Sequence, residues 1–78
     1  MKYTVKQLAE YSGVSTRTLR FYDKLDLLSP AFYGDNGYRF YSEAELLTLQ
    51  QILFFRELGF KLADIKNIIN ADEFDQLK

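Results

Sequence analysis

Seventy-eight residues suit a single small domain, close to the lower size limit for a core that stands without covalent staples. The chain has neither cysteine nor histidine, which excludes a disulfide framework, thiolate metal sites and histidine-based acid–base chemistry, and leaves any metal to oxygen ligands. A net charge of −1 with 47% apolar residues describes a folded globule, no apolar run approaches the roughly 18 residues of a membrane span, and Met1-Lys2-Tyr3-Thr4-Val5 lacks the apolar stretch of a signal peptide. The expectation is a soluble cytoplasmic protein without a cofactor and without enzymatic activity.

Taken in chain order, Thr4 and Gln7 form a capping box, with Tyr3 and Leu8 as its hydrophobic staple. They predict a first helix from Val5 to Tyr11. Gly13 ends it in a turn that needs positive φ, and Ala9 is small enough to let the next helix approach. Ser15 is placed to cap a second helix, stapled by Val14 and Leu19. At about 100° per residue, Arg17, Arg20, Phe21 and Lys24 share one third of its circumference. Thr18, Leu19, Tyr22 and Leu25 lie opposite, towards the core. A short helix that is basic on one side and buried on the other meets the physical requirement for reading a major groove. The same pattern also fits an ordinary helical hairpin whose charges only confer solubility.

Pro30 forbids continuation of the second helix. Ala31 to Tyr41 then flanks Gly34-Asp35-Asn36-Gly37 with aromatic residues, and Asn-Gly between β-favouring runs signals a hairpin. Alternation sends Tyr38 and Phe40 to one face and Arg39 and Tyr41 to the other. The expectation is that the hairpin leans on the helices and leaves Arg39 free to point outward. A hairpin placed after a basic helix is a wing, which would set Arg39 and the loop tip on a sugar–phosphate backbone. The alternative is a hairpin that only covers the core.

Ser42 and Glu45 form a second capping box, with Tyr41 and Leu46 as its staple. They open a third helix that stops at Gly59. Its apolar residues cover most of the circumference, so it is expected to be a central strut buried on several sides. Arg56, in its last turn, serves either the helix dipole or a phosphate. A fourth helix starts near Lys61, with Phe60 and Ile65 as its staple. The expected domain spans 1–70, with 71–78 as the start of a linker or dimerisation segment. Residues 1–41 carry six Lys/Arg against four Asp/Glu, and residues 42–78 carry four against seven. Positive potential is thus concentrated around the basic helix, where each phosphate contact would act locally.

The ordered set Val5-Lys6-Gln7-Leu8-Ala9, Ser12-Gly13-Val14-Ser15, Thr18-Leu19-Arg20-Phe21-Tyr22-Asp23, Gly37-Tyr38-Arg39-Phe40-Tyr41 and Arg56-Glu57-Leu58-Gly59-Phe60 resembles the N-terminal DNA-binding domain of MerR-type transcription regulators. Leu49-Gln50-Gln51-Ile52-Leu53-Phe54-Phe55 resembles the TipA/Mta-like branch. The resemblance covers residues 2 to 71. It implies a fold that is mainly α with a small β-hairpin: a winged helix-turn-helix of four helices plus a wing. It also implies a homodimeric regulator that distorts double-stranded promoter DNA and acts on RNA polymerase indirectly. By matching position, Arg17, Arg20, Tyr22 and Lys24 in the helix, Arg39 in the wing and Arg56 in the third helix would touch DNA. Thr16 and Tyr38 complete that set. Tyr22 faces the core, so only its hydroxyl would reach a phosphate. Phe21 stands where the family often has Tyr, and Lys61 where it often has a Ser or Thr cap.

The family dimerises through a long helix after the fourth, and Ala71 to Lys78 cannot hold its heptad seam, so the chain is expected to be either the DNA-binding part of a longer regulator or a short relative. Phe74 and Leu77 would continue an apolar stripe from Ile69. The chain alone is therefore expected to be monomeric or weakly dimeric. Two other readings remain open: a short excisionase-like factor that bends DNA, and a protein-interaction module.

Overall fold

The computed structural model describes residues 2–76, with side chains through residue 71. Strand β1 (Lys2–Thr4) leads directly into helix α1 (Val5–Ser12), followed by α2 (Thr16–Lys24), β2 (Phe32–Tyr33), β3 (Arg39–Ser42), α3 (Glu43–Glu57) and α4 (Leu62–Gln76). The expected capping chemistry starts the helices. Gln7 N donates to Thr4 Oγ1 at 3.1 Å while Thr4 N donates to Gln7 Oε1 at 2.9 Å. The Glu45 carboxylate receives both the amide and the hydroxyl of Ser42, so α3 begins with its acidic end anchored. Helix α1 ends at Gly13 with φ 72°, and Val14 N donates back to Ala9 O at 3.0 Å. The end of α3 repeats this device at Gly59, φ 91°.

The sheet is antiparallel and three-stranded, in the order β1-β3-β2. The sequence pattern suggested only the hairpin. β3 takes a partner on each side, with Tyr3 opposite Tyr41 and Phe32 opposite Phe40. A two-stranded ribbon is marginal in water, and β1 supplies the missing strand.

The alternation along β3 is as expected, but its assignment to core and solvent is reversed. Tyr41 is fully buried, whereas Tyr38 is exposed and Phe40 lies on the outer side, stacked on Phe32 at 5.2 Å. The cause is the junction with α3. Tyr41 is the residue before the Ser42 cap and staples Leu46, so residues 39 and 41 must turn inward together. Arg39 therefore does not point freely outward.

Leu8, Leu19, Tyr41, Leu49, Ile52 and Ile65 are each 0% exposed, so α1, α2, β3, α3 and α4 all meet in one core. Helix α3 touches β3, α1 and α4, while α2 packs on α1. Three expectations are corrected here. Leu25 is exposed, because α2 ends and turns at that point. Leu47, Phe54 and Leu58 on α3 are exposed, so the strut is covered on fewer sides than its composition suggested. Helix α4 continues to Gln76, past residue 70, because nothing at Ala71 breaks it. Leu77 and the side chain of Phe74 lie outside the described residues.

Burial pushes the Tyr41 hydroxyl up to about 12, and this hydroxyl has no hydrogen-bond partner among the described residues. An unpaired buried hydroxyl costs about 1–3 kcal/mol. Tyr41→Phe keeps the ring and removes that cost, so it is expected to raise the urea midpoint by the equivalent of about 1 kcal/mol with an unchanged slope. A lowered midpoint would mean that the hydroxyl is satisfied.

Candidate nucleic-acid interface

Helix α2 starts with Thr18 N donating to Ser15 Oγ at 3.0 Å. It ends without glycine. Asp26 takes φ 59°, with Asp26 N donating to Asp23 O at 3.1 Å and Leu27 N to Tyr22 O at 2.9 Å. An aspartate thus fills the left-handed position that usually selects glycine. From α4, Lys66 Nζ donates to Leu25 O at 3.0 Å and places a cation at the negative end of α2. Between these ends Arg17, Arg20 and Lys24 are exposed, with Phe21 among them. Thr16 is half-buried at the first helical position. Tyr22 is 5% exposed and belongs to the core.

The wing tip is a tight turn. Gly37 N donates to Gly34 O at 2.9 Å, Gly34 N to Tyr38 O at 2.8 Å, and Gly37 has φ 77°. Gly34 makes room for an aromatic ring: a Cβ there would lie 2.6 Å from Phe40 Cε2. Tyr38 is exposed beside this tip.

Arg39 and α2 meet at Asp23. Arg39 Nε donates to Asp23 Oδ2 at 3.0 Å, and Tyr33 Oη donates to the same oxygen at 2.9 Å. The Arg39 and Asp23 side chains are 30% and 15% exposed. The arginine also lies near the Tyr33 ring, 5.9 Å from its centroid. Burial alone would raise the Asp23 carboxyl. The hydrogen bonds from Arg39 and Tyr33 outweigh it and hold the group below the usual carboxylate range, while Tyr33 and Arg39 are both pushed up by their bonds to Asp23. A depressed carboxyl stabilises the fold above its unfolded value and stops doing so as pH falls through its folded value. The stability difference between the wild type and Asp23→Asn is therefore expected to hold from neutral pH down to about 4 and to close below that. Urea titrations of both proteins across that range check it. A difference that closes near neutrality would contradict it.

Arg17, Arg20, Phe21, Asp23, Lys24 and Arg39 line one cleft between α2 and the wing. The expected residues Arg17, Arg20, Lys24 and Arg39 are thus brought together from two elements. Arg56 lies elsewhere, exposed on a groove that it shares with Tyr11, Ser12, Gly13 and Val14 at the turn between α1 and α2. Its Nη1 donates to Phe60 O at 3.3 Å beyond the end of α3. Asp23 and Tyr33 were not singled out from the sequence. The available signal was an anion between Tyr22 and Lys24 on an otherwise cationic helix.

The family model for "MerR HTH family regulatory protein" matches residues 3–72. The chain belongs to the MerR family. Among the curated relatives of this MerR domain, the HTH-type transcriptional activator mta of Bacillus subtilis (strain 168) is 57% identical over 76 residues, which are 97% of this chain and 30% of that protein. The HTH-type transcriptional activator TipA of Streptomyces coelicolor is 47% identical over 75 residues, 96% of this chain and 30% of that protein. The MerR domain therefore spans about 30% of the length of these relatives. Among solved structures, HiNmlR, a MerR family regulator lacking the sensor domain and bound to promoter DNA, superposes with a TM-score of 0.85 at 34% identity. That match covers 95% of this chain and 56% of the other. The winged helix-turn-helix architecture is thus that of the family, and the TipA/Mta-like branch is the one to which the α3 residues had pointed.

Proposed function

We propose that this domain binds double-stranded promoter DNA, with α2 in the major groove and the wing on the backbone. The observation that carries this reading is the cleft between α2 and the wing, where four cations from two elements gather on a chain whose net charge is −1. HiNmlR, which shares this architecture, is bound to promoter DNA in its crystal structure. Arg17, Arg20 and Lys24 would face the groove, with Thr16 at the helix start. Tyr38 and Arg39 would meet the backbone from the wing, and Arg56 would meet it beside the α1–α2 turn. The buried Tyr22 ring leaves at most its hydroxyl for a phosphate.

The domain would act as one half of a homodimer that distorts its promoter, with RNA polymerase responding to the altered DNA. The domain alone would be monomeric or weakly dimeric, because the apolar side chains Leu62, Ile65 and Ile69 of α4 are engaged in the domain's own core and offer no heptad seam to a second copy. Sedimentation tests this part, and a tight dimer at micromolar concentration would overturn it.

Titration with a DNA duplex at several salt concentrations tests the central claim. With the four cleft cations on phosphates or base edges, log K is expected to fall with log salt at a slope of about −3 to −4. Salt-independent binding, or none, would favour the protein-interaction reading.

A further inference from the structure

We propose that Asp23 is a positioning residue for DNA contact, acting through Arg39. The proposal rests on the DNA-binding reading above. An anion on a phosphate-facing surface is unfavourable on charge alone, yet Asp23 sits in the middle of the basic cleft. Its geometry accounts for it. One carboxylate oxygen takes both Arg39 Nε and the Tyr33 hydroxyl, at 3.0 and 2.9 Å. Arg39 is therefore held by the inner nitrogen of its fork. The two terminal amino groups stand outside the ion pair, and this end-on edge matches the paired oxygens of a phosphate.

The clasp also fixes a distance between elements. Asp23 lies in the last turn of α2, Tyr33 on β2 and Arg39 on β3. One oxygen thus ties both strands of the wing to the reading helix, and Arg39 keeps its place before DNA arrives. Ordering a long side chain at an interface costs affinity, and that cost is here met by the fold itself.

Charge alone and positioning predict opposite signs for one near-isosteric change. Asp23→Asn removes a negative charge from the cleft. If Asp23 is only an anion, the variant binds DNA more tightly. If it positions Arg39, the variant binds a mixed-sequence duplex about three- to tenfold more weakly, and its salt slope is about one unit shallower as Arg39 disengages. The same change made in an Arg39→Ala background should then carry no penalty: affinity stays the same or rises as the unpaired charge is removed. Arg39→Lys keeps the charge but has no second edge, so it too is expected to bind more weakly than the wild type. Asp23→Asn that binds as tightly as the wild type, or more tightly, overturns the positioning role alone. So does a penalty that persists without Arg39. A wild-type domain that fails to bind duplex DNA overturns the DNA reading and this role together.

Discussion

Leu19→Ala is expected to remove about half of the domain's stability. Leu19 is completely buried, on the face of α2 opposite the basic residues. It shares with Leu8 and Ala9 of α1 a core to which every helix contributes. Truncating such a leucine costs about 2–5 kcal/mol, because the cavity it leaves closes only in part. A domain of this size has about 4–12 kcal/mol in total. Few buried residues are available to redistribute the loss, and the flanking Ala9 is too small to swing into the gap. Urea denaturation followed by far-UV circular dichroism measures the effect, and a midpoint equal to that of the wild type would contradict it. The same variant should lose DNA binding in step with its folded fraction, because α2 is held in place from its apolar side.

Arg20→Ala is expected to have the largest effect on sequence discrimination while leaving the fold intact. Arg20 is exposed, lies in the middle of the basic face and lines the cleft shared with Arg39. Its guanidinium is free of any ion pair among the described residues, unlike that of Arg39. A bidentate contact from arginine to a guanine edge is worth about 1–3 kcal/mol against the wrong base. Arg20→Ala should therefore weaken binding to a selected site by about tenfold or more and affect random DNA far less. Lys24→Ala, at the end of the same helix, should weaken both alike. Competition between a duplex selected from a randomised pool and unselected DNA separates the two cases. Equal loss on both by Arg20→Ala would place that residue on phosphate.

The helices were legible because each announces itself within a few residues. Thr4 with Gln7, Ser15 with Thr18, and Ser42 with Glu45 are local hydrogen-bonding partners, and Gly13 and Gly59 mark helix ends that only a left-handed residue can make. What escaped depends on distant partners. Lys2 to Thr4 are β-favouring in part but too few to signal a strand, and they become β1 through pairing with β3. The wing's inner face was misjudged because its aromatic residues look equally apolar on both sides. The choice was made by Tyr41, through its place ahead of the α3 cap. Asp26 closes α2 in a conformation that composition assigns to glycine. Within the candidate interface, the cations were readable from helical spacing. The carboxylate that holds Arg39 was not, because its partners come from β2 and β3.

The pairing of β1 with β3 also bears on the order in which the chain can mature. Tyr3 Oη donates to Glu43 Oε1 at 3.0 Å across a separation of 40 positions, alongside the Lys2–Ser42 and Tyr3–Tyr41 pairs. Lys2 to Thr4 thus find their strand partner only once the second strand of the wing is in place. Until then α1 and α2 lack Tyr41, and the sheet lacks its middle strand. Closing so long a loop is a single entropic toll that no shorter segment can settle early. The helix-turn-helix and the wing therefore mature together, as one event, and a peptide ending after α2 should remain an unfolded chain.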